Sequence, residues 1–112
     1  QVSRFDWLRT QKETGSSSWF GFSLVLEGQA TGKRRELVQE LLASGVAVRP
    51  IVAGNFTKNP VMKHLEHADL EPMKNADKVH SDGLFVGNHH YEIASEIDLL
   101  VHTLTRFERT AL

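Results

Sequence analysis

The hydrophobic pattern of residues 18–45 changes its period once, and this change limits the folds open to the chain. In the stretch SWFGFSLVLEG, Phe20, Phe22 and Leu24 alternate with smaller or polar residues, which is typical of a strand with one buried face. The next stretch, TGKRRELVQELLASG, has apolar residues at helical spacing and a glycine, Gly45, placed to end a helix. A strand followed directly by an amphipathic helix predicts a domain of mixed α and β structure.

The middle of the chain predicts a second strand and a short helix. Residues 46–52, VAVRPIV, are rich in β-branched side chains, which favour strands. Asn59 followed by Pro60 predicts a helix start, because asparagine caps free N–H groups and proline is tolerated at the first helical position. Residues 66–74 are predicted to form a loop.

The last third of the chain predicts a short helix, a short strand and a long helix. The stretch NADKVHSDG is predicted as a helix capped by Asn75 and stopped by Gly83, and LFVGN is predicted as a third strand. The final helix has one apolar stripe. Its members are Ile93, Ile97, Leu100, Val101, Leu104 and Phe107.

The element order β-α-β-α-α-β-α predicts an α+β fold. We expect a small three-stranded, mostly antiparallel sheet with helices packed on one face. If the first two strands are parallel, the third could lie between them in the antiparallel direction. Residues 1–18 are predicted to be a lead-in segment, and residues 19–112 to be the domain. The chain begins with Gln1 and not with methionine, so we expect it to be a piece of a longer protein.

Composition excludes several classes of function. A length of 112 residues predicts one domain, and a formal net charge of −1 does not indicate a broad nucleic-acid surface. The sequence contains no run near the roughly 18 apolar residues of a membrane helix. It contains no cysteine, which excludes thiolate catalysis and thiolate metal ligands and is compatible with the cytoplasm. We therefore expect a cytoplasmic protein that binds neither nucleic acid nor membranes.

The stretch RPIVAGNFTKNP concentrates hydrogen-bond donors between a strand and a helix. Arg49, Asn55 and Lys58, with the N–H groups of the following helix start, could bind a phosphate or a carboxylate. The alternative is a polar turn at Gly54 with two solvated cations, because no fixed phosphate-loop pattern is present. Both interpretations remain open from the residues alone.

A pair of histidines precedes the final helix in the stretch GNHHYE. Loops at such positions often carry functional side chains, and His89 or His90 could donate a hydrogen bond or transfer a proton. No metal site is predicted, because the only other paired histidines, His64 and His67, lie in a highly charged segment. No nucleophile with a partnered base is evident. By its chemistry alone, the chain has loops suited to ligands and no catalytic residues.

Taken together, SWFGFSLVLEG, RPIVAGNFTKNPVMKHL and NADKVHSDGLFVGNHHY resemble the C-terminal part of a family of sugar-nucleotide aminotransferases and dehydratases. The family is often named for its DegT, DnrJ, EryC and StrS members. The resemblance covers roughly residues 16–105. It implies the small domain of a type I pyridoxal-phosphate fold. Aminotransferases of the family usually have a different motif where this chain reads VRPIVAGNFTKNP, so the resemblance favours the 3-dehydratases of 4-keto-6-deoxy sugar nucleotides.

The resemblance also implies an activity and a site. It implies removal of a C3 hydroxyl in the synthesis of 3,6-dideoxysugars for surface polysaccharides such as the O-antigen of lipopolysaccharide. It assigns Arg49, Asn55 and Lys58 to a loop that borders the substrate, and His89 to a loop near the sugar. Catalytic and cofactor-binding residues are expected in a large domain upstream of this chain.

The same resemblance implies the cofactor and the partners. Pyridoxal or pyridoxamine 5'-phosphate is expected in the full-length enzyme and not on this chain alone, which we expect to be inactive. The implied partners are the N-terminal large domain, the nucleotide sugar and a second subunit in a homodimer. The alternatives are the small domain of an aminotransferase and a binding module without catalysis.

Overall fold

The computed structural model describes residues 1–68 and 71–112, which form four strands and three α-helices. In chain order these are β1 (Leu8–Thr10), β2 (Gly21–Leu26), α1 (Arg34–Ala43), β3 (Val48–Pro50), α2 (Lys74–Asp82), β4 (Gly83–Gly87) and α3 (Ala94–Ala111). Short 3-10 turns lie at Val2–Arg4, Gly28–Ala30, Phe56–Lys58 and Pro60–His64. Part of the predicted loop 66–74, residues 69 and 70, lies outside the described residues.

The strands form one antiparallel sheet in the order β1-β2-β4-β3. Both β2 and β3 pair antiparallel with β4, which therefore lies between two strands that run parallel to each other. The insertion of the third predicted strand is confirmed. The α+β class is also confirmed, but the prediction of three strands is wrong, because β1 adds a fourth strand beside β2.

The first ten residues are part of the folded domain, although residues 1–18 were predicted to be a lead-in segment. Phe5 and Trp7 are 3% and 1% exposed, and the Trp7 ring lies 5.5 Å from the Phe107 ring of α3. The Trp7 indole N–H donates to Glu108 at 2.7 Å. The lead-in prediction is therefore wrong for this stretch, whose three-residue strand is too short for a visible alternation.

The core lies between the sheet and the helices α1 and α3. Leu24 of β2, Leu84 of β4, Leu41 of α1 and Leu104 of α3 are each fully buried in one cluster. The apolar spacing of the sequence produces this arrangement, because alternate strand residues and one stripe of each helix face the same side. We call this side of the sheet the helix face and the other side the outer face.

The helix ends follow the sequence signals in most cases. After α1, the Val46 N–H donates to Leu41 and the Gly45 N–H to Leu42, the pattern of a Schellman cap, and Gly45 has φ +83° as that cap requires. The Asn59 side chain accepts from the Val61 N–H at 3.0 Å, as predicted, although the turn is 3-10.

The helix α2 begins two residues earlier than predicted. It starts at Lys74 after Met73, so Asn75 lies inside its first turn and is not its cap. No helix of the described residues is long and apolar enough to cross a membrane.

Candidate functional site

Arg49 lies on the outer face of the sheet, in the edge strand β3. It pairs with Phe85 of β4, which in turn lies opposite Ser23 of β2. These three side chains share one face because the partners across a sheet point to the same side. Within the described part of the chain, the Arg49 guanidinium has no hydrogen-bond or ion-pair partner.

A groove of about 510 Å³ surrounds Arg49, and we call it the outer-face groove. Its walls combine aromatic, aliphatic and polar side chains. The lining residues are Gln11, Ser17, Trp19, Phe20, Gly21, Ser23, Arg49, Ile51, Val52 and Phe85. Phe20 is 90% exposed, and its ring lies 6.1 Å from that of Phe85. A cation beside exposed aromatic rings suits a ligand with anionic groups and flat or apolar faces.

Sequence reasoning missed the aromatic part of this groove. Phe20 was assigned to the buried face of its strand, but β2 begins at Gly21 and Phe20 lies just outside it. Phe85 of β4 points to the outer face, between two buried residues that point to the helix face. The strand has only five residues, which is too short for this alternation to be recognised in the sequence. The pairing of Phe85 with Arg49 across β3 and β4 is the feature that identifies Phe85 as part of the groove.

Asn55 is 4% exposed, and the structure gives its side chain partners within the chain. Its Oδ1 accepts from the N–H of Thr57 at 3.0 Å and from the Thr57 hydroxyl at 2.7 Å. Its Nδ2 donates to Asp77 of α2 at 2.8 Å. The amide therefore caps the Phe56–Lys58 turn on one side and contacts a helix on the other.

Lys58 also contacts Asp77, through a 2.6 Å ion pair. The bond from Lys58, followed by that from Asn55, lowers the pKa of the Asp77 carboxyl below its ordinary value. The carboxyl is exposed to solvent, so the pair is screened and its strength rests mainly on its hydrogen-bond geometry. No local sequence pattern points to Asp77, because it lies 19 residues beyond Lys58.

His89 lines a different cavity, which lies on the helix face of the sheet. This cavity of about 670 Å³ is also lined by Phe22, Val86 and Leu100, and Trp19 lines both cavities. The His89 ring stacks on Tyr91 with centroids 4.9 Å apart. Nearby, a hydrogen bond from Ser95 lowers the pKa of Glu96, and the charge of His89 acts in the same direction.

The four predicted substrate-binding residues therefore occupy three places. Arg49 lies in the outer-face groove, Asn55 and Lys58 face α2, and His89 lines the cavity behind the sheet. Among residues 1–68 and 71–112, no three histidine, aspartate or glutamate side chains are grouped as a metal would require. The outer-face groove is the candidate binding site, because Arg49 there is directed to solvent.

The chain is similar to curated sugar-nucleotide dehydratases. It is 43% identical over 99 residues to GDP-4-keto-6-deoxy-D-mannose 3-dehydratase of Escherichia coli O55:H7, covering 88% of this chain and 26% of the relative. It is 39% identical over 105 residues to the enzyme of that name from Yersinia pseudotuberculosis, covering 93% of this chain and 27% of the relative. A third relative is dTDP-4-dehydro-2,6-dideoxy-D-glucose 3-dehydratase of Saccharopolyspora spinosa, 27% identical over 80% of this chain and 20% of the relative. No protein-family model matches the chain.

Solved structures agree with these relatives. The E. coli GDP-4-keto-6-deoxy-D-mannose-3-dehydratase with bound hydrated PLP superposes with a TM-score of 0.85 at 41% identity, over 92% of this chain and 27% of that chain. A variant of the enzyme ColD with bound GDP-perosamine gives the same TM-score at 40% identity, with the same coverage of both chains. The chain therefore spans about a quarter of the length of the proteins it matches.

Proposed function

We propose a function for the whole protein from one premise: this chain belongs to the family of the sugar-nucleotide 3-dehydratases, as a homologue of their C-terminal region. The full-length protein is a 3-dehydratase of a GDP-linked 4-keto-6-deoxy sugar, with pyridoxal or pyridoxamine phosphate as its cofactor. The observation that carries this proposal is the 43% identity to the GDP-4-keto-6-deoxy-D-mannose enzyme over 88% of the chain. The third relative acts on a dTDP sugar and is also a 3-dehydratase, which supports dehydration over transamination.

The cofactor site is proposed to lie in the rest of the protein. When bound, pyridoxamine phosphate supplies the amine and the electron sink that loss of a C3 hydroxyl requires. Neither cavity of this chain is lined by a lysine, so no side chain in them could hold the cofactor covalently. Pyridoxal phosphate could therefore not form a Schiff base in either cavity, and we propose that the role of this chain is to bind and orient the sugar nucleotide.

Arg49 is the residue of this chain that we assign to the substrate. Its planar guanidinium can donate two parallel hydrogen bonds to a phosphate, or single bonds to sugar oxygens. The exposed ring of Phe20 and the ring of Phe85 provide apolar surface beside it. The groove thereby forms one wall of the sugar-nucleotide site, and the rest of the protein forms the other.

His89 stays a predicted substrate contact. It lines a cavity on the other face of the sheet from Arg49, and Trp19 is a lining residue that the two cavities share. We propose also that the full-length protein is a cytoplasmic homodimer that supplies dideoxysugars for surface polysaccharide.

The activity is tested with the full-length protein, pyridoxamine phosphate and GDP-4-keto-6-deoxy-D-mannose. Mass spectrometry is expected to show a sugar product that has lost one oxygen atom. A product in which the ketone has become an amine would identify an aminotransferase instead. The absence of any turnover together with tight binding of the sugar nucleotide would favour a binding module.

The first prediction is that Arg49→Ala in the full-length protein lowers kcat/KM for the sugar nucleotide by about 10- to 100-fold, the range of a lost hydrogen bond to a charged group. Cofactor content, measured by absorbance, is expected to stay unchanged. Arg49→Lys keeps the charge without the fork and should recover only part of the loss.

The matched control is Arg35→Ala. Arg35 is an exposed arginine of α1, which packs on the helix face, away from the groove. It is expected to have unchanged kinetics. An Arg49→Ala protein with the kcat/KM of the unmodified protein would exclude Arg49 from the site.

A further inference from the structure

The connection from β3 to the Phe56–Lys58 turn is attached to α2 by a set of polar contacts. We call this set the clasp, and its members are Asn55, Thr57, Lys58, Asp77 and His80. Asp77 Oδ1 is its centre, since it accepts from Asn55 at 2.8 Å and from Lys58 at 2.6 Å. One carboxylate oxygen thus holds the turn at both of its ends.

His80 supplies a second point of attachment one helical turn further along α2. Its Nδ1 accepts from the Asn55 backbone N–H at 3.3 Å. Asp77 and His80 are three residues apart, so both face the connection from the same side of the helix. The backbone at Gly54 lies so close that a Cβ there would be 2.6 Å from His80 Nδ1.

The clasp fixes one wall of the outer-face groove. Ile51 and Val52 line this groove beside Arg49, and they lie between the end of β3 and the clasp. Because β3 is an edge strand that pairs only with β4, its hydrogen bonds hold this wall no further than Pro50. Beyond that residue, the wall is held by the packing of Ile51 beside Gly83 and by the clasp at Asn55.

The clasp also decides which cation faces the groove. Lys58 forms an ion pair with a carboxylate on α2, and the buried Asn55 amide donates to Asp77 through Nδ2 and accepts from Thr57 through Oδ1. Of Arg49 and Lys58, Arg49 is therefore the cation without a partner among the described residues. A ligand that used Asn55 or Lys58 directly would first have to break these internal contacts.

From these contacts we propose that Asp77 is a positioning residue for the sugar nucleotide, and that Asn55 and Lys58 act by holding the groove wall instead of touching the substrate. The proposal rests on the proposed function of the groove. Asp77 contacts neither the groove nor Arg49, so its effect passes through the connection between them.

The test is a double-mutant cycle in the full-length protein. Asp77→Ala is expected to raise KM for GDP-4-keto-6-deoxy-D-mannose about tenfold, the fold-change of one hydrogen bond to a charged group, with kcat and cofactor content much less affected. In the Arg49→Ala background, the same change is expected to add little, since both variants disturb one wall. If Asp77→Ala acted only through a general loss of structure, it would raise KM by the same factor in the unmodified protein and in the Arg49→Ala background.

Two further variants separate the parts of the clasp. Asp77→Asn keeps an oxygen acceptor for Asn55 and loses the charge opposite Lys58, so we expect partial recovery of KM. Asp98→Ala, an exposed aspartate on α3, is the matched control and should have unchanged kinetics. Circular dichroism checks that each variant folds.

Amide hydrogen exchange measures how firmly the clasp holds the connection, and it requires no activity assay. Exchange across residues 51–58 is expected to be faster in Asp77→Ala and unchanged in Asp98→Ala. Unchanged exchange in Asp77→Ala would overturn the positioning role of Asp77. An unchanged KM in Asp77→Ala would do the same if Arg49→Ala does lower kcat/KM, and the role of Arg49 would then stand. If Arg49→Ala has no effect while exchange does accelerate in Asp77→Ala, the clasp stands and the proposed substrate site of the groove is wrong.

Discussion

At the scale of single residues, Gly54 combines a backbone constraint with a lack of space. Its φ of +59° lies in the left-handed region, and a Cβ would meet both the ring and the backbone of His80. Its counterpart Gly28 has a similar φ of +52° with open space where a Cβ would lie. The two glycines therefore separate conformational cost from steric cost.

We predict that Gly54→Ala destabilises this chain more than Gly28→Ala does. The left-handed conformation alone costs an alanine about 1–2 kcal/mol of unfolding free energy, which is the whole expected loss at Gly28. At Gly54 the contact with His80 adds to that cost. Urea unfolding followed by circular dichroism measures both, and equal losses would show that α2 can move away from Gly54.

Asn55 illustrates how far sequence reasoning reaches at this scale. The residues left open whether this stretch forms a polar turn or binds an anion, and the structure has a turn in which the Asn55 side chain bonds to the backbone of Thr57. The partner Asp77 lies 22 residues away, and no local rule connects the two. The predicted donor cluster is therefore divided by a contact that only the folded chain makes.

At the scale of elements, Asp82 joins the end of α2 to the turn before α1. Its carboxylate is 2% exposed and accepts from the Gly32 N–H at 2.7 Å, from Lys78 at 2.9 Å and from the Ser81 hydroxyl at 2.9 Å. Burial alone would raise the pKa of Asp82, but these bonds lower it below its ordinary value.

A lowered pKa in the folded state makes Asp82 a stabilising group above the pKa of an unfolded aspartate, near 4. This contribution is lost as the pH falls below about 4 and through the folded pKa. We predict that Asp82→Asn lowers the unfolding free energy at neutral pH by about 1–3 kcal/mol. The difference from the unmodified chain should shrink in acid.

Denaturant unfolding at a series of pH values measures this difference. Asp98→Asn, on the exposed side of α3, is the control and should follow the unmodified chain at every pH. A loss in Asp82→Asn that stays constant from neutral to acid pH would contradict the ionic role of Asp82.

At the scale of the whole molecule, the chain corresponds to about a quarter of the length of its relatives, and we propose that the cofactor site lies in the rest of the protein. We predict that this chain, incubated with pyridoxal phosphate and then desalted, shows no absorbance of bound cofactor. The full-length protein treated in the same way is the control and should show it. A stoichiometric chromophore on the chain alone would place the cofactor site here.

The sequence by itself determined the order of the elements from β2 onward and the C-terminal end of α1, and it allowed the antiparallel insertion of β4. These features depend on hydrophobic period, glycine and proline positions and the short connections, all of which are local. The motifs also carried the family resemblance, and the 43% identity supports it.

The tertiary structure alone decided three other features. It placed Trp7 in the core against α3, it gave Asn55 and Lys58 a common partner in Asp77, and it put Arg49 and His89 on different faces of the sheet. Each depends on contacts between residues far apart in the chain, where sequence spacing carries no information about distance. That is why the sequence located the donors, and only the fold showed that Arg49 is exposed on the outer face while Asn55 and Lys58 contact α2.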